Sequence, residues 1–173
     1  YKEMGKAFLN ITYNPAAIEA GRYLEEKLGQ KHLYLPLSYG FDEIEKTLDT
    51  LCENLGIEKI DFTSNKKQAL DALKKAKEVI GDTPIEIDYT LTLRPASLAR
   101  LLLENGFNVV SIYEDCFAGE EEEDFKWIQE NYPNLKIYAT VHVKMRFVNR
   151  KRDEKLLALG QKAAYFTGSN NFV

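Results

Sequence analysis

Hydrophobic and polar residues along this chain repeat with two alternating periods. Between Phe41 and Leu55, apolar residues recur every three or four positions, which predicts an amphipathic helix that ends at Gly56. Short apolar runs lie between such helical stretches and predict strands. The predicted strands are 7–12, 32–36, 85–91, 108–113, 135–141 and 163–167, and the predicted helices are 15–28, 41–55, 65–80, 95–105, 120–132 and 155–159.

The order of these elements indicates the fold class. Strands and helices alternate throughout, which is typical of parallel strands joined by crossover helices. The sequence therefore predicts an α/β fold with parallel sheets and flanking helices. We divide it into two units, residues 1–64 and 65–173, and find no internal repeat and no low-complexity segment.

Composition narrows the classes of function. The chain has 173 residues and a net charge of −4, which argues against nucleic acid as a partner because nucleic acid selects basic surfaces. No apolar run is long enough to span a membrane, and the N-terminus does not resemble a secretory signal. It also lacks an initiator methionine, so we expect an internal piece of a longer protein. The two cysteines cannot form a disulfide framework, and we expect a cytoplasmic location.

A ligand site is expected where the parallel strands end. Open parallel sheets bind ligands outside the carboxyl ends of their strands, so the loops that follow the predicted strands are the candidates. These loops are residues 13–14, 37–40, 92–94, 114–116 and 142–146.

Four residues in or next to these loops are our candidate cofactor-binding residues. Arg94 precedes a predicted helix, where a guanidinium group beside the helix N-terminus suits an anion. An ion pair with a nearby carboxylate is the alternative. Tyr13, Tyr39 and Tyr113 lie near strand ends and could line a pocket, although aromatic residues also pack at such positions in many α/β proteins.

The other chemistry-bearing residues favour structural roles. Cys52 lies on the apolar stripe of its helix, and the acidic neighbours of Cys116 disfavour a reactive thiolate. Neither His32 nor His142 has a second ligand at metal-binding spacing, so we predict no metal site and name no catalytic residue. The common nucleotide-binding and hydrolase motifs are absent. Acidic residues 120–124 are interpreted as a charged helix start, and basic residues 144–152 as a solvated face or an anion-binding segment.

Several short motifs, taken in order, resemble one protein family. The resemblance extends over nearly the whole chain, and the order and spacing of the motifs carry it. One motif is Leu93-Arg94-Pro95, which lies between a strand and a helix. The others are 8–15, 24–29, 35–40, 98–99, 104–110 and 158–166. Together they are similar to the nitrogenase component 1 superfamily, which includes nitrogenase subunits, a cofactor-assembly scaffold and nitrogenase-like reductases.

The resemblance implies a function and partners. Members have Rossmann-like α/β domains, hold iron–sulfur clusters and receive electrons from a partner iron–sulfur ATPase. The chain would then be an internal fragment of an oxidoreductase subunit that pairs with a second component 1-type subunit. The isolated fragment would hold no cofactor, would be inactive and could form a homodimer through surfaces that the rest of the subunit covers.

Two departures from the family pattern restrict this expectation. No cysteine follows the first strand, where the molybdenum–iron subunit has a cluster ligand, and Thr92 and Leu93 replace its small glycines. A nitrogenase-like reductase of unknown substrate therefore fits better than nitrogen fixation itself. The alternatives are a non-catalytic scaffold or carrier of the same fold and an unrelated α/β small-ligand binding module. If Arg94 binds the cofactor, Arg94→Ala should weaken activity or cofactor retention without unfolding the protein.

Overall fold

The computed structural model describes residues 3–117, 119–148, 155–171 and 173. Strands and helices alternate along most of the chain. The strands are β1 (Asn10–Thr12), β2 (His32–Tyr34), β3 (Ile85–Asp88), β4 (Val109–Tyr113), β5 (Lys136–Tyr138) and β6 (Leu157–Leu159). The helices are α1 (Ile18–Leu28), α2 (Phe41–Leu55), α3 (Thr63–Ile80), α4 (Pro95–Glu104), α5 (Glu122–Asn131) and α6 (Gln161–Thr167).

The strands form two parallel sheets. β1 pairs with β2, and Ile11 lies opposite Leu33. The second sheet has the order β5-β4-β3-β6, and each neighbouring pair is parallel. The strand order reverses between β3 and β6, because β4 and β5 lie on one side of β3 and β6 lies on the other. This arrangement confirms the predicted α/β fold with parallel sheets and flanking helices.

The four-stranded sheet is covered on both faces by apolar side chains. On one face, Ile85, Ile87 and Ile112 are almost fully buried against α4 and α5. On the other face, Tyr113 packs with Phe166 of α6 and with a second group of buried residues. Burial on both faces explains the nearly continuous apolar sequence of β4, since strands of this kind have no polar face.

The helix boundaries follow the expected local chemistry in the first half of the chain. The Asn14 side chain accepts a hydrogen bond from the backbone N–H of Ala16, which caps the turn that leads into α1. Gly56 ends α2 in the left-handed conformation with φ of 68° and donates its N–H to the carbonyl of Cys52. These two predicted boundaries are confirmed.

The last part of the chain corrects two predictions. Residues 155–159 were expected to form a helix, but Leu157–Leu159 is the strand β6 and pairs with β3. Residues 163–167 were expected to form a strand, but they belong to the helix α6. The reason is tertiary: Ala158 is fully buried in the sheet, and α6 buries Ala163 and Phe166 against that sheet's face.

The predicted division into units 1–64 and 65–173 falls inside a helix. α3 begins at Thr63 rather than at Asn65, so the boundary lies two residues into that helix. Its residues Leu73, Ala76 and Ile80 pack against the core of the four-stranded sheet. The division stays a prediction. Among the described residues, no helix combines the length and the apolar character that crossing a membrane requires.

Candidate functional site

The strands of the larger sheet present polar residues where they end. Asp88 ends β3, Glu114 and Asp115 follow β4, and Gly160 follows β6. Because the strands are parallel, these residues lie at the same edge of the sheet. We call this edge, with the loops that follow its strands, the carboxyl edge.

Asp88 occupies the point where the strand order reverses. Its Oδ2 atom accepts a hydrogen bond from the N–H of Ala163, 2.6 Å away, in the first turn of α6. Its Oδ1 atom accepts hydrogen bonds from the N–H and hydroxyl groups of Thr90. Gly160 passes beside this carboxylate with φ of 114°, and a Cβ atom there would overlap the carboxyl group. The crevice in which doubly wound sheets often bind ligands therefore holds a carboxylate of the protein itself.

Lys162 lies at the carboxyl edge beside the ends of β4 and β5. Its Nζ atom is 3.0 Å from the Thr140 hydroxyl oxygen, 3.8 Å from Oδ2 of Asp115 and 4.1 Å from the centre of the Tyr89 ring. About a third of its side chain, 35%, stays exposed. The sequence did not reveal this residue as a candidate, since it lies between a predicted helix and a predicted strand and its contacts come from three distant loops.

Arg94 is buried in a network of carbonyl and carboxylate oxygens. Its Nη1 atom lies 2.9 Å from the carbonyl oxygen of Leu37 and 3.3 Å from Oε2 of Glu43. Its Nη2 atom lies 2.8 Å from the carbonyl oxygen of Glu120 and 2.9 Å from Oδ2 of Asp124. The structure thus places Arg94 in the ion-pair arrangement that was the alternative. Contact with a cofactor stays a prediction.

The three candidate tyrosines lie in different surroundings. Tyr13 and Arg94 line one cavity of about 10 Å³, which has room for a single water molecule. Tyr39 lies beside a separate groove of about 420 Å³ that α2, α3, α4 and α5 line together. Tyr113 is buried, stacks between Tyr138 and Phe166, and donates its hydroxyl hydrogen to Glu86. The structure therefore brings Tyr13 and Arg94 together but does not gather all four residues in one pocket.

Tyr34 also lines the small cavity beside Arg94. Burial raises the pKa of Tyr34 to about 12, and the nearby Glu120 carboxylate raises it further while Arg94 opposes the change. The phenol therefore stays protonated at neutral pH and can donate its hydroxyl hydrogen to Glu120.

Two glutamates beside the carboxyl edge are buried. Glu114 is 8% exposed, and Glu121, at the end of a short helical turn before α5, has no exposed surface. Burial, followed by the charge of Glu121, raises the pKa of Glu114 to about 8. Burial also raises the pKa of Glu121 to about 7, although its hydrogen bond from the Ala96 N–H and the charge of Arg94 lower it. Residues 120–124 do form the charged start of α5 and the turn before it, but Glu121 and Asp124 are buried there.

The two cysteines and two histidines have separate surroundings. Cys52 is buried in α2, and Cys116 is exposed. His32 bonds to the hydroxyl of Thr12, and His142 caps the turn that follows it. Throughout the described ranges, no group of three or more His, Cys, Asp or Glu side chains could hold a metal ion. Of the basic segment 144–152, residues 149–152 lie outside the described residues.

Comparison with solved structures identifies a related fold. The chain is similar to Nitrogenase Cp1 at pH 6.5, with a TM-score of 0.61 and 13% sequence identity over 98% of this chain. The similarity covers 38% of the other chain, so this protein spans well under half of that structure's length. At this identity the likeness shows the fold alone. No curated protein matches the chain.

Comparison with family models identifies the family. The model described as nitrogenase component 1 type oxidoreductase matches residues 1–167, which is nearly the whole chain. This match agrees with the order of the short motifs and with the Rossmann-like parallel sheets. The chain therefore belongs to the nitrogenase component 1 type oxidoreductase family.

Proposed function

We propose that this protein is part of a nitrogenase-like oxidoreductase subunit that binds a cofactor or substrate at the carboxyl edge. In this proposal its electrons come from a partner iron–sulfur ATPase, and a second component 1-type subunit pairs with it. The single observation that carries the proposal is the family match over residues 1–167. We also propose a cytoplasmic location and a division of the chain near residue 64.

The residues of this chain do not themselves fit an iron–sulfur cluster. Such clusters are held by several cysteine thiolates. Here Cys52 is buried inside α2 and Cys116 is exposed, and the part of the chain that the structure describes contains no three-ligand group. Any cluster of the assembly would therefore need most of its ligands from residues outside the described part of this chain.

The contribution of this chain is then to bind and orient. Lys162 presents an ammonium group at the carboxyl edge, and the Thr140 hydroxyl and the Asp115 carboxylate fix its position. An ammonium group with an exposed side can bind an anionic group of a cofactor or substrate. Arg94 supports the same edge indirectly, because its network holds Glu120 and the start of α5 in place.

Anaerobic purification of the native full-length protein tests the proposal. We expect stoichiometric iron and acid-labile sulfide, an electron paramagnetic resonance signal and ATP-dependent reduction when the iron–sulfur ATPase is added. A protein with a cluster but no ATP-dependent reduction would instead be a cofactor scaffold of the same fold. A metal-free protein would contradict the cluster part of the proposal and favour a carrier of an organic ligand.

Lys162→Met tests the binding role of the carboxyl edge. Loss of a charge-assisted hydrogen bond costs roughly 1.5–3 kcal/mol, so we expect cofactor or substrate retention to fall about tenfold or more. The matched control is Lys126→Met, which removes an exposed lysine of α5 that pairs with Glu122, one turn earlier in the same helix. Retention measured after gel filtration should fall in the first variant and stay unchanged in the second. Equal retention in both would remove Lys162 from the site.

A further inference from the structure

A cavity of about 460 Å³ lies at the amino ends of β4 and β5, away from the carboxyl edge. It is lined by Glu86, by residues 108–111 at the start of β4, and by residues 131–136, which lead from α5 into β5. Small-molecule sites usually have volumes of roughly 300–1,000 Å³. This amino-edge cavity is therefore large enough for a small ligand, and it is separate from the site proposed above.

Ser111 provides the observation that points to a ligand in this cavity. Its side chain lines the cavity and it is 1% exposed. In the part of the chain that the structure describes, its Oγ atom has no hydrogen-bond partner. A buried hydroxyl group without a partner is costly, because it has lost its hydrogen bonds to water. A ligand that bonds to this Oγ atom would remove the cost.

Charged residues flank Ser111 on the two neighbouring strands. The register of the sheet places Ser111 beside Glu86 of β3 and beside Lys136 of β5. Neighbouring strands lie about 4.8 Å apart, and residues paired in register point to the same face, so the three side chains form one row. All three line the cavity. The row therefore runs from a carboxylate, through a hydroxyl group, to an ammonium group.

The Glu86 side of the cavity is rich in hydrogen-bond acceptors. Glu86 has no exposed surface, and its Oε2 atom accepts the hydroxyl hydrogen of Tyr113 at 2.8 Å. A carboxylate has about four acceptor positions, so this bond leaves room for others. Asn108 and Asn131 also line the cavity, and each donates an Nδ2 hydrogen to a backbone carbonyl, so their Oδ1 atoms can accept. This side suits the ammonium group of a ligand.

The Lys136 side of the cavity suits an anionic group with an apolar group beside it. Lys136 is exposed and its ammonium group offers three donors. Tyr132, Pro133 and Leu135 line the cavity next to it and provide apolar surface. A ligand with only a positive charge would face Lys136 as a like charge, and one with only a negative charge would face Glu86 in the same way. A zwitterion avoids both repulsions.

We propose that the amino-edge cavity binds a free amino acid with an apolar side chain. The ammonium group of the ligand bonds to Glu86 and its carboxylate bonds to Lys136. The Ser111 hydroxyl lies between these two groups and gains the partner that it lacks in the protein. The apolar side chain of the ligand packs on Tyr132 and Leu135. This site does not depend on the proposed reductase function.

Titration calorimetry on the native full-length protein tests the ligand class. The probes are L-valine, L-leucine, L-isoleucine, L-methionine and L-phenylalanine, and we expect at least one of them to bind. For leucine, the matched analogues are isoamylamine, which lacks the carboxylate, and isocaproate, which lacks the ammonium group. Each lost charge should weaken binding about tenfold or more. The absence of binding by all five amino acids, or analogues that bind as tightly as their parent, would overturn the proposal.

Variants of the row locate the site. Ser111→Ala should weaken binding roughly two- to tenfold, and Lys136→Met should weaken it about tenfold or more. The matched controls are Ser64→Ala and Lys126→Met, at exposed positions of α3 and α5, and both should bind like the wild type. Wild-type affinity in Ser111→Ala and Lys136→Met would place the ligand elsewhere and contradict the proposal.

Thermal unfolding without ligand checks the Ser111 hydroxyl itself. Ser111→Ala removes a buried polar group that has no partner, so its melting temperature should be no lower than that of the wild type. The bound amino acid should raise the melting temperature of the wild type more than that of the variant. A marked fall in the ligand-free variant would show that Ser111 already bonds within the protein and would overturn the proposal. Neither measurement uses reductase activity, so a failure here leaves the proposed function untouched.

Discussion

Replacing Arg94 with alanine is expected to lower the free energy of unfolding by about 3–5 kcal/mol, because it breaks a buried ion pair and leaves one partner uncompensated. The side chains of Arg94 and Asp124 are only 5% and 10% exposed. Loss of the guanidinium group would strand the Asp124 carboxylate and two carbonyl oxygens, those of Leu37 and Glu120. Arg100 would still reach Oδ1 of Asp124 at 3.2 Å, which keeps the loss from being larger.

Denaturant unfolding of Arg94→Ala measures this effect, with Arg22→Ala as its control. Arg22 pairs with Glu19 at 2.7 Å, but both side chains are largely exposed, so its loss should cost at most about 1 kcal/mol. The sequence alone suggested that Arg94→Ala would leave the fold intact, and the observed network reverses that expectation. If the two variants are equally stable, Arg94 is not a structural anchor and the cofactor-binding interpretation gains support.

Gly160→Ala is the second change with a large expected effect, about 3 kcal/mol or more of destabilisation. Its φ of 114° and ψ of 158° lie in a region that only glycine adopts readily, which costs about 1–3 kcal/mol for alanine. The new Cβ atom would also overlap the Asp88 carboxyl group, which is held by Ala163 and Thr90. Weakening these charge-assisted hydrogen bonds adds roughly 1.5–3 kcal/mol for each bond that is lost.

The control for this variant is Gly56→Ala. Gly56 also has a positive φ, 68°, but a Cβ atom there would meet nothing within 4 Å. Its expected cost is the backbone strain alone, about 1–2 kcal/mol. Thermal unfolding of both variants separates strain from overlap. A Gly160→Ala protein no less stable than the Gly56→Ala protein would show that Asp88 moves aside freely.

The sequence predicts the fold well where the apolar residues follow a single, sustained helical or strand spacing. The stripe from Phe41 to Leu55 contains four helical turns, and α2 has those bounds. The last elements are too short for such a pattern: β6 has three residues and α6 has seven. β6 is apolar, and α6 contains a short apolar run of which Ala163 and Phe166 are buried, so periodicity cannot tell strand from helix there. Their assignments came from contacts with β3 that no local sequence reveals.

The site is less predictable than the fold. The loop that contains Glu114 could be identified, because its place after a strand is a property of the local sequence. The burial of Glu121 could not, since an acidic run normally stays in water. The partners of Arg94 could not be identified either. Asp124 lies 30 positions after it and Glu43 lies 51 positions before it.

These separations bear on how the molecule folds. Arg94 joins Leu37, 57 residues earlier, to Glu120, 26 residues later, so its bonds close long loops of chain. Long loops close late, because their entropy cost precedes any gain from contact. The network therefore forms late in folding and strengthens the native state more than the transition state. Its main kinetic effect is to slow unfolding. The segment after β2 and the larger sheet are then expected to unfold together in one cooperative step.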